Sequence, residues 1–413
     1  MRGRSYLMLR FWNDEVITNY PPSPEGVRMS FKARQRRPLT LPSPPWGEGF
    51  RARLPLIVLA IGLFFSGAAH AEPTVSLLPL LFAVEEFRAP ASYFARTLTT
   101  SPALPERLPA DRAVVAVWGA GGGAALYLEK GELRQVRWPA GEEPPLREAP
   151  RNAVPGTRMQ SEGPLTAFLS APRADYRHGV FGQVDDAGRL IISEKQPLAG
   201  VSTDVRAVPT KIGIVEAGPD AVFEDLEPRL ADLDRDGTPE ILVVKSYLAK
   251  GSALAVVGQR DGVWAIVAET PPAGEPHRWL APAAVADFSG DGKLMIALVR
   301  TPHVQGVLQL WGFEGGKLSL RHEAAGYANH VFGASAIDNA AAVDLDGDGR
   351  PELVIPTQDR KSLAVLSLRD GIRELRRIGL PAPAGRGVAA LGAGKDAHII
   401  AALEDGRVVV IRP

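Results

Sequence analysis

The chain has 413 residues, no cysteine, and 47 basic side chains balanced by 47 acidic ones. Without cysteine there is no disulfide scaffold, thiolate zinc site or cysteine nucleophile. A neutral chain also lacks the positive excess that displaces counterions from nucleic acid, so nucleic acid is not an expected partner. Apolar residues at 45% suffice for a large core, while 42 glycines and 36 prolines point to short strands joined by turns.

Residues 1–50 are rich in arginine and proline and show no period, and are expected to be unstructured or to precede a true start at Met29 or later. Residues 51–71 then read Arg51-Ala52-Arg53, an apolar run Leu54–Phe65, and the small-x-small site Ala69-His70-Ala71. A basic flank, an apolar core of about a dozen residues and such a site form a cleavable signal peptide. A membrane span needs roughly 20 apolar residues. The protein is therefore expected to be exported, periplasmic or extracellular, with no stable membrane span after cleavage. An uncleaved anchor is the alternative, because Val75–Val84 adds a second apolar stretch.

Residues 72–413 read as a single domain built on a repeat. A first hairpin, Ala124–Trp138, turns at Lys130-Gly131, and Pro139–Pro164 reads as a proline-rich loop. Three segments then align without gaps: Leu230–Val244, Val285–Val299 and Ala342–Pro356, with first aspartates Asp232, Asp287 and Asp344 spaced 55 and 57 residues apart. Each is followed by two apolar runs around a tight turn, at Asp261-Gly262, Gly315-Gly316 and Asp370-Gly371. Asp-Gly between β-rich runs is a strong hairpin signal. A last hairpin, His398–Arg412, turns at Asp405-Gly406. Four-stranded units repeated at this spacing predict an all-β fold, a β-propeller of about six or seven blades, with the repeat clearest over 222–413.

Within the repeat, Asp232, Asp234, Asp236 and Glu240 stand at positions 1, 3, 5 and 9 of a loop, and Asp344, Asp346, Asp348 and Glu352 do the same. Alternate carboxylates on a tight turn converge, and calcium takes six to eight hard oxygens, so these loops are expected to hold structural Ca2+. The carbonyls of Thr238 and Arg350 stand at position 7 and complete the donor set. An EF-hand is excluded, since position 12 is Val243 or Ile355 and strands follow. The middle copy keeps Asp287 and Asp291 but has Ser289 at position 3 and Met295 at position 9, and is expected to bind metal weakly or not at all.

Phe332-Gly-Ala-Ser335 followed by Val343-Asp-Leu-Asp-Gly-Asp-Gly-Arg-Pro-Glu-Leu-Val-Ile-Pro356 resembles the FG-GAP/VCBS repeat family, the integrin-α-like propeller. The resemblance covers residues 176–413 well and 113–175 by hairpin pattern alone. It departs in the glutamate at position 9, the long opening before Asp344 and the missing Phe-Gly in the first two copies. It implies a propeller with calcium-binding loops, in a family that spans adhesion, ligand binding and enzyme-attached modules.

Connectors at the end opposite the acidic loops carry His178, Glu224, Asp225, Tyr247, His277, Arg278, Trp279, His303, Asn329, His330 and Gln358. Four of the six histidines beyond residue 71 fall in this set. Such a face suits a ligand, although solvated loops with Trp279 and Phe223 filling gaps between blades would share the pattern. The expected role is non-catalytic ligand binding or scaffolding, toward a protein or glycan. The alternative is an exported hydrolase acting on a polar substrate at the same face. The glycines around Gly119–Gly123 turn back at Gly131 instead of entering a helix, which excludes a dinucleotide fingerprint.

Overall fold

The computed structural model describes residues 72–412 apart from 102–103, 110–111, 143–145, 183 and 197–208. The arginine-rich head and the signal-like segment lie outside the described residues. The described part is all-β. It begins with β1 (Thr74–Leu77), β2 (Glu86–Arg88), the short helix α1 (Tyr93–Leu98), β3 (Val114–Gly119), β4 (Gly122–Glu129) and β5 (Glu132–Pro139). Next come β6 (Gln160–Glu162), β7 (Leu165–Arg173), β8 (Asp186–Lys195), β9 (Thr210–Glu216), β10 (Ala221–Phe223), β11 (Arg229–Ala231), β12 (Glu240–Tyr247), β13 (Gly251–Arg260) and β14 (Val263–Glu269). Two regular meanders follow: β15 (Leu280–Ala286), β16 (Met295–Arg300), β17 (Val307–Glu314), β18 (Lys317–Ala325), then β19 (Ala341–Val343), β20 (Glu352–Pro356), β21 (Ser362–Ser367), β22 (Arg373–Gly379). The described chain closes with β23 (Ala384–Leu391), β24 (His398–Leu403) and β25 (Val408–Arg412).

Four sheets have four antiparallel strands: β2–β5, β15–β18, β19–β22, and one ordered β1-β25-β24-β23. The last takes strands from both ends of the described chain, with Thr74 opposite Arg412. The fifth has nine strands, because β10 pairs with β12 and touches β8 through Phe223 and Ala187, fusing two meanders that the repeat pattern separates. Phe223 is fully buried at this joint.

The turns follow from residue chemistry. Lys130-Gly131, Asp261-Gly262 and Gly315-Gly316 each place two successive residues at positive φ, the twist that joins antiparallel strands through a two-residue loop. The strands are rich in valine, isoleucine and leucine, and β12 is buried on both faces over most of its length. Both faces are covered by neighbours. One cluster joins β7–β9 to β12–β14 through Leu190, Val243 and Trp264. A second joins β12 and β13 to β16 and β17, a third joins the β15–β18 and β19–β22 sheets, and a fourth joins β19–β22 to β23–β25. A fifth packs Phe87, Val115 and Leu126 of the β2–β5 sheet against Leu391 and Ile400. Between the β2–β5 sheet and β6 the contacts are polar: Arg88 forks onto Glu148 at 2.6 and 2.8 Å, and Gln160 donates to Ala91 O and Glu227.

The joint between the β2–β5 sheet and β23 requires a bare backbone at Gly387, where a Cβ would lie 2.1 Å from the Phe87 ring. Gly387→Ala is expected to destabilise the protein by about 1–3 kcal/mol through overpacking, measured by denaturant unfolding.

Candidate functional site

The acidic loops lie between β11 and β12, β15 and β16, and β19 and β20, where alternating aspartates cap the backbone of their own turn. Asp232 accepts from Gly237 N at 3.0 Å, Asp234 from Asp236 N at 3.2 Å, Asp236 from Thr238 N at 2.7 Å, and Glu240 from Leu233 N at 2.9 Å. The loop at Asp344 repeats this pattern, ending with Glu352 accepting from Leu345 N at 2.9 Å. Carboxylate oxygens of Asp232, Asp234 and Glu240 lie within 4.8 Å of one another, as do those of Asp344, Asp346 and Asp348. Asp236 and Glu352 stand outside these sets. The other oxygen of Asp232 is buried without a hydrogen-bond partner. Burial, with Asp234 and Asp236 nearby, pushes the Glu240 carboxyl up to about 7, and burial also moves the Glu352 carboxyl upward. An orphaned carboxylate oxygen among hard oxygen donors fits a divalent cation, which would neutralise the crowded charge. The Arg350 guanidinium pairs with Asp348, a member of the second set, at 3.4 Å.

The middle loop solves the same charge problem differently. Ser289 Oγ donates to Asp291 at 2.7 Å and leans on Asp287 at 3.4 Å, while Gly290 N and Gly292 N fill the Asp287 oxygens. A hydroxyl bridges the carboxylates that an ion would otherwise join.

At the opposite end of the strands, four connectors bring four histidines together. His178 stacks on His277 at 5.0 Å, and His303 lies 5.2 Å from His330. Trp279 stands 4.8 Å from His330 and 6.0 Å from His303, stacked on the latter. Phe332, 54% exposed, touches both His178 and His303 at 5.6 and 5.4 Å. Phe181 closes the floor against Trp279 and His330.

The acceptors around these rings fix their protons. Ala334 O takes the Nε2 proton of His330 at 3.0 Å, so His330 Nδ1 accepts from His303 Nε2 at 2.9 Å. Glu224 takes the Nδ1 proton of His178 at 2.7 Å, and Tyr176 O takes that of His277 Nε2 at 3.3 Å. His303 therefore donates through Nε2 and keeps Nδ1 as its free acceptor. Burial pushes the His303 imidazole down to about 4 and that of His330 to about 3. Three non-glycine residues on these connectors, Arg177, His277 and Thr301, hold positive φ, a strain that persists only where the surroundings overdetermine it.

Other expected face residues are framework. Asp225 is buried, its oxygens taken by Leu226 N, Val244 N and Arg229. Asn329 is buried and donates to Ala281 O and Pro282 O. Tyr247 donates to Glu269 beneath Lys245, away from the histidines, and Arg278 pairs with Glu275. Gln358 donates to Pro302 O and so braces the connector of His303. Phe332, Phe181 and Ser246, which donates to Glu224, belong to the cluster although the reading by connectors omitted them. Their signal was present: Tyr176–Gly182 echoes Tyr327–Gly333, and the two segments meet through Gly333 N donating to Val180 O at 2.9 Å.

No family model matches the chain, and no curated protein matches it. Among solved structures it is similar to the N-terminal domain of Nup159, at 12% identity and a TM-score of 0.36, over 74% of this chain and 77% of that one. It is similar at 12% identity and a TM-score of 0.35 to a chain of the S. cerevisiae assembly of a Dbp5 variant with Nup159, a Gle1 variant, IP6 and ADP, over 75% and 77% of the two chains. Likeness at these scores supports no statement about function. Among the described residues no helix is long and apolar enough to cross a membrane.

The depressed histidines give a pH signature. In the unfolded chain His330 protonates near pH 6.5, whereas in the folded protein it stays neutral to about pH 3. Between these values the unfolded state binds more protons, so stability falls as pH falls. His330→Gln is expected to flatten the stability profile by up to one proton between pH 6.5 and 3, measured by denaturant unfolding of both proteins across that range.

Proposed function

We propose that the protein is an exported, calcium-stabilised β-propeller of six blades that captures a polar ligand on its histidine face without transforming it. Six four-stranded units support the blade count, once the nine-stranded sheet is divided at β10. Closure is supported by the sheet that takes β1 beside β25 and by apolar clusters that join successive units. The loops at Asp232 and Asp344 are the calcium sites, and the serine-bridged loop at Asp287 is metal-free. The fold is of the kind that FG-GAP/VCBS repeats build, and the signal-like segment supports export.

The observation that carries the ligand-binding reading is the convergence of His178, His277, His303 and His330 with Trp279 and Phe332. Imidazole nitrogens beside aromatic walls exchange hydrogen bonds with hydroxyl or amide groups while the rings cover apolar faces, chemistry suited to a glycan or a polar peptide segment. One observation favours a second reading. The His178–Glu224 pair is the oriented base of an acid–base catalyst, so conversion of a polar substrate belongs in the same assay.

Chelation of divalent ions is expected to lower the melting temperature, and added Ca2+ to restore it. At 100-fold above its dissociation constant each site contributes about 2.7 kcal/mol. Asp232→Asn and Asp344→Asn should each remove one site by calorimetry, with Asp287→Asn silent. For the face, a glycan and peptide array identifies captured ligands, and His277→Ala or Phe332→Ala is expected to weaken capture about tenfold or more, roughly 1.4 kcal/mol. Unchanged capture in both variants overturns the binding reading, and turnover lost in His178→Ala establishes the catalytic one.

A further inference from the structure

Each acidic loop stands at the mouth of a cleft framed by its own outer hairpin and by a segment of the following unit. The cleft at Asp234 has a volume of about 420 Å³ and that at Asp291 about 270 Å³, whereas the one at Asp346 reaches about 700 Å³. Repetition makes the first two internal controls for the third. In the first, Arg260 and Lys317 face Asp234, Asp236 and Glu240. In the second, Lys293 and Arg321 both turn onto Glu314, at 2.9 and 3.5 Å, and neutralise the site from within.

The third cleft differs in charge and in floor. Arg350, Arg369, Arg373, Arg376 and Lys395 line it against three carboxylates, Asp346, Asp348 and Glu352. Arg350 is engaged with Asp348, and Arg369 with Asp370 outside the lining. Arg373 and Lys395 are exposed and form no salt bridge among the described residues, and the acid next to Arg373 in the chain, Glu374, lies outside the lining and is held by Arg377 at 2.7 Å. Beneath these cations the lining is aliphatic, with Leu375 exposed and Leu345 half-buried over the buried core residues Val365, Ile378 and Ile399. Leu375 is 43% exposed, an apolar side chain left in water on the cleft wall. The combination recurs in neither sister cleft, so it does not follow from the repeat.

We infer that this cleft binds a small amphiphilic anion, with its apolar body along Leu375 and Leu345 and its carboxylate, sulfonate or phosphate group between Arg373 and Lys395. Charge complementarity selects the head group, since two cations without partners at an apolar surface are satisfied by an anion that carries its own hydrocarbon. The volume holds one chain of modest length and excludes a folded partner. The cleft opens at the acidic-loop end of the strands, remote from the histidines, so the inference stands apart from the reading of that face.

The test is calorimetric titration of the purified full chain with decane-1-sulfonate below its micellar range, beside methanesulfonate, which lacks the chain, and decan-1-ol, which lacks the charge. Saturable one-site binding of decane-1-sulfonate, at least tenfold tighter than either control, is expected. Arg373→Glu with Lys395→Glu should weaken it at least tenfold, and Leu375→Asp alone should weaken it comparably, with melting temperatures unchanged. Lys293→Glu, in a sister cleft, should leave it intact. Equal binding of methanesulfonate reduces the cleft to a simple anion patch, equal binding of decan-1-ol reduces it to a greasy surface, and either result overturns the inference. Flotation with phosphatidylglycerol vesicles without monomer binding also overturns it, by assigning the cations to a membrane surface.

Discussion

Everything in this molecule depends on one constraint: its sheets are apolar on both faces. β12 has no polar face to offer water, and Val243 and Val244 are buried on opposite sides of it. A four-stranded sheet of that kind cannot stand alone, because either face left in water forfeits roughly 25 cal/mol for each Å² exposed. It must be covered by a neighbour on each side, and the neighbour has the same requirement. The chain meets it by repetition, with successive sheets packing through shared clusters and a last sheet that borrows its outer strand from the beginning.

The consequence for function is geometric. When both faces of every sheet are spent on packing, chemistry is left to the strand ends, and the two ends have diverged. At one end the turns are short and acidic, with carboxylates so close that burial and mutual repulsion lift Glu240 toward neutrality. At the other the connectors carry imidazoles, and burial holds those of His303 and His330 neutral. At the first end the carboxylates of each full loop crowd within 4.8 Å of one another. The other gathers four imidazoles with Trp279 and Phe332 at one place.

Much of this was legible in the residues. The hairpins at Lys130-Gly131 and Asp261-Gly262 announce themselves because a two-residue turn needs positive φ at both positions, and few dipeptides accept it. Assigning connectors to one end by strand alternation placed His178, His277, His303 and His330 on the same face, and the rings meet there. Linear order fails where burial is decided by three-dimensional neighbours. Asp225 and Asn329 sit on the right connectors, yet their side chains fold inward to satisfy backbone groups of adjoining strands. Nothing in the string distinguishes such a carboxylate from one aimed at solvent. The fusion through Phe223 and the ionic seam at Arg88 and Glu148 are hidden for the same reason.

The departures from the repeat are more informative than the repeat itself. Ser289 shows what happens when a loop loses its acids, for a hydroxyl between two aspartates does by hydrogen bonding what a cation does by charge, and the turn keeps its shape. The fold therefore does not need three ions to hold three similar turns. By the same logic the third cleft need not have acquired Arg373, Leu375 and Lys395 to keep its loop folded, since the sister clefts fold with other residues there. Leu375, 43% exposed beside unpaired cations, costs solubility and lies outside the core clusters that join the sheets. In an architecture where neighbouring units serve as built-in controls, such an uncompensated difference points away from stability and toward something bound.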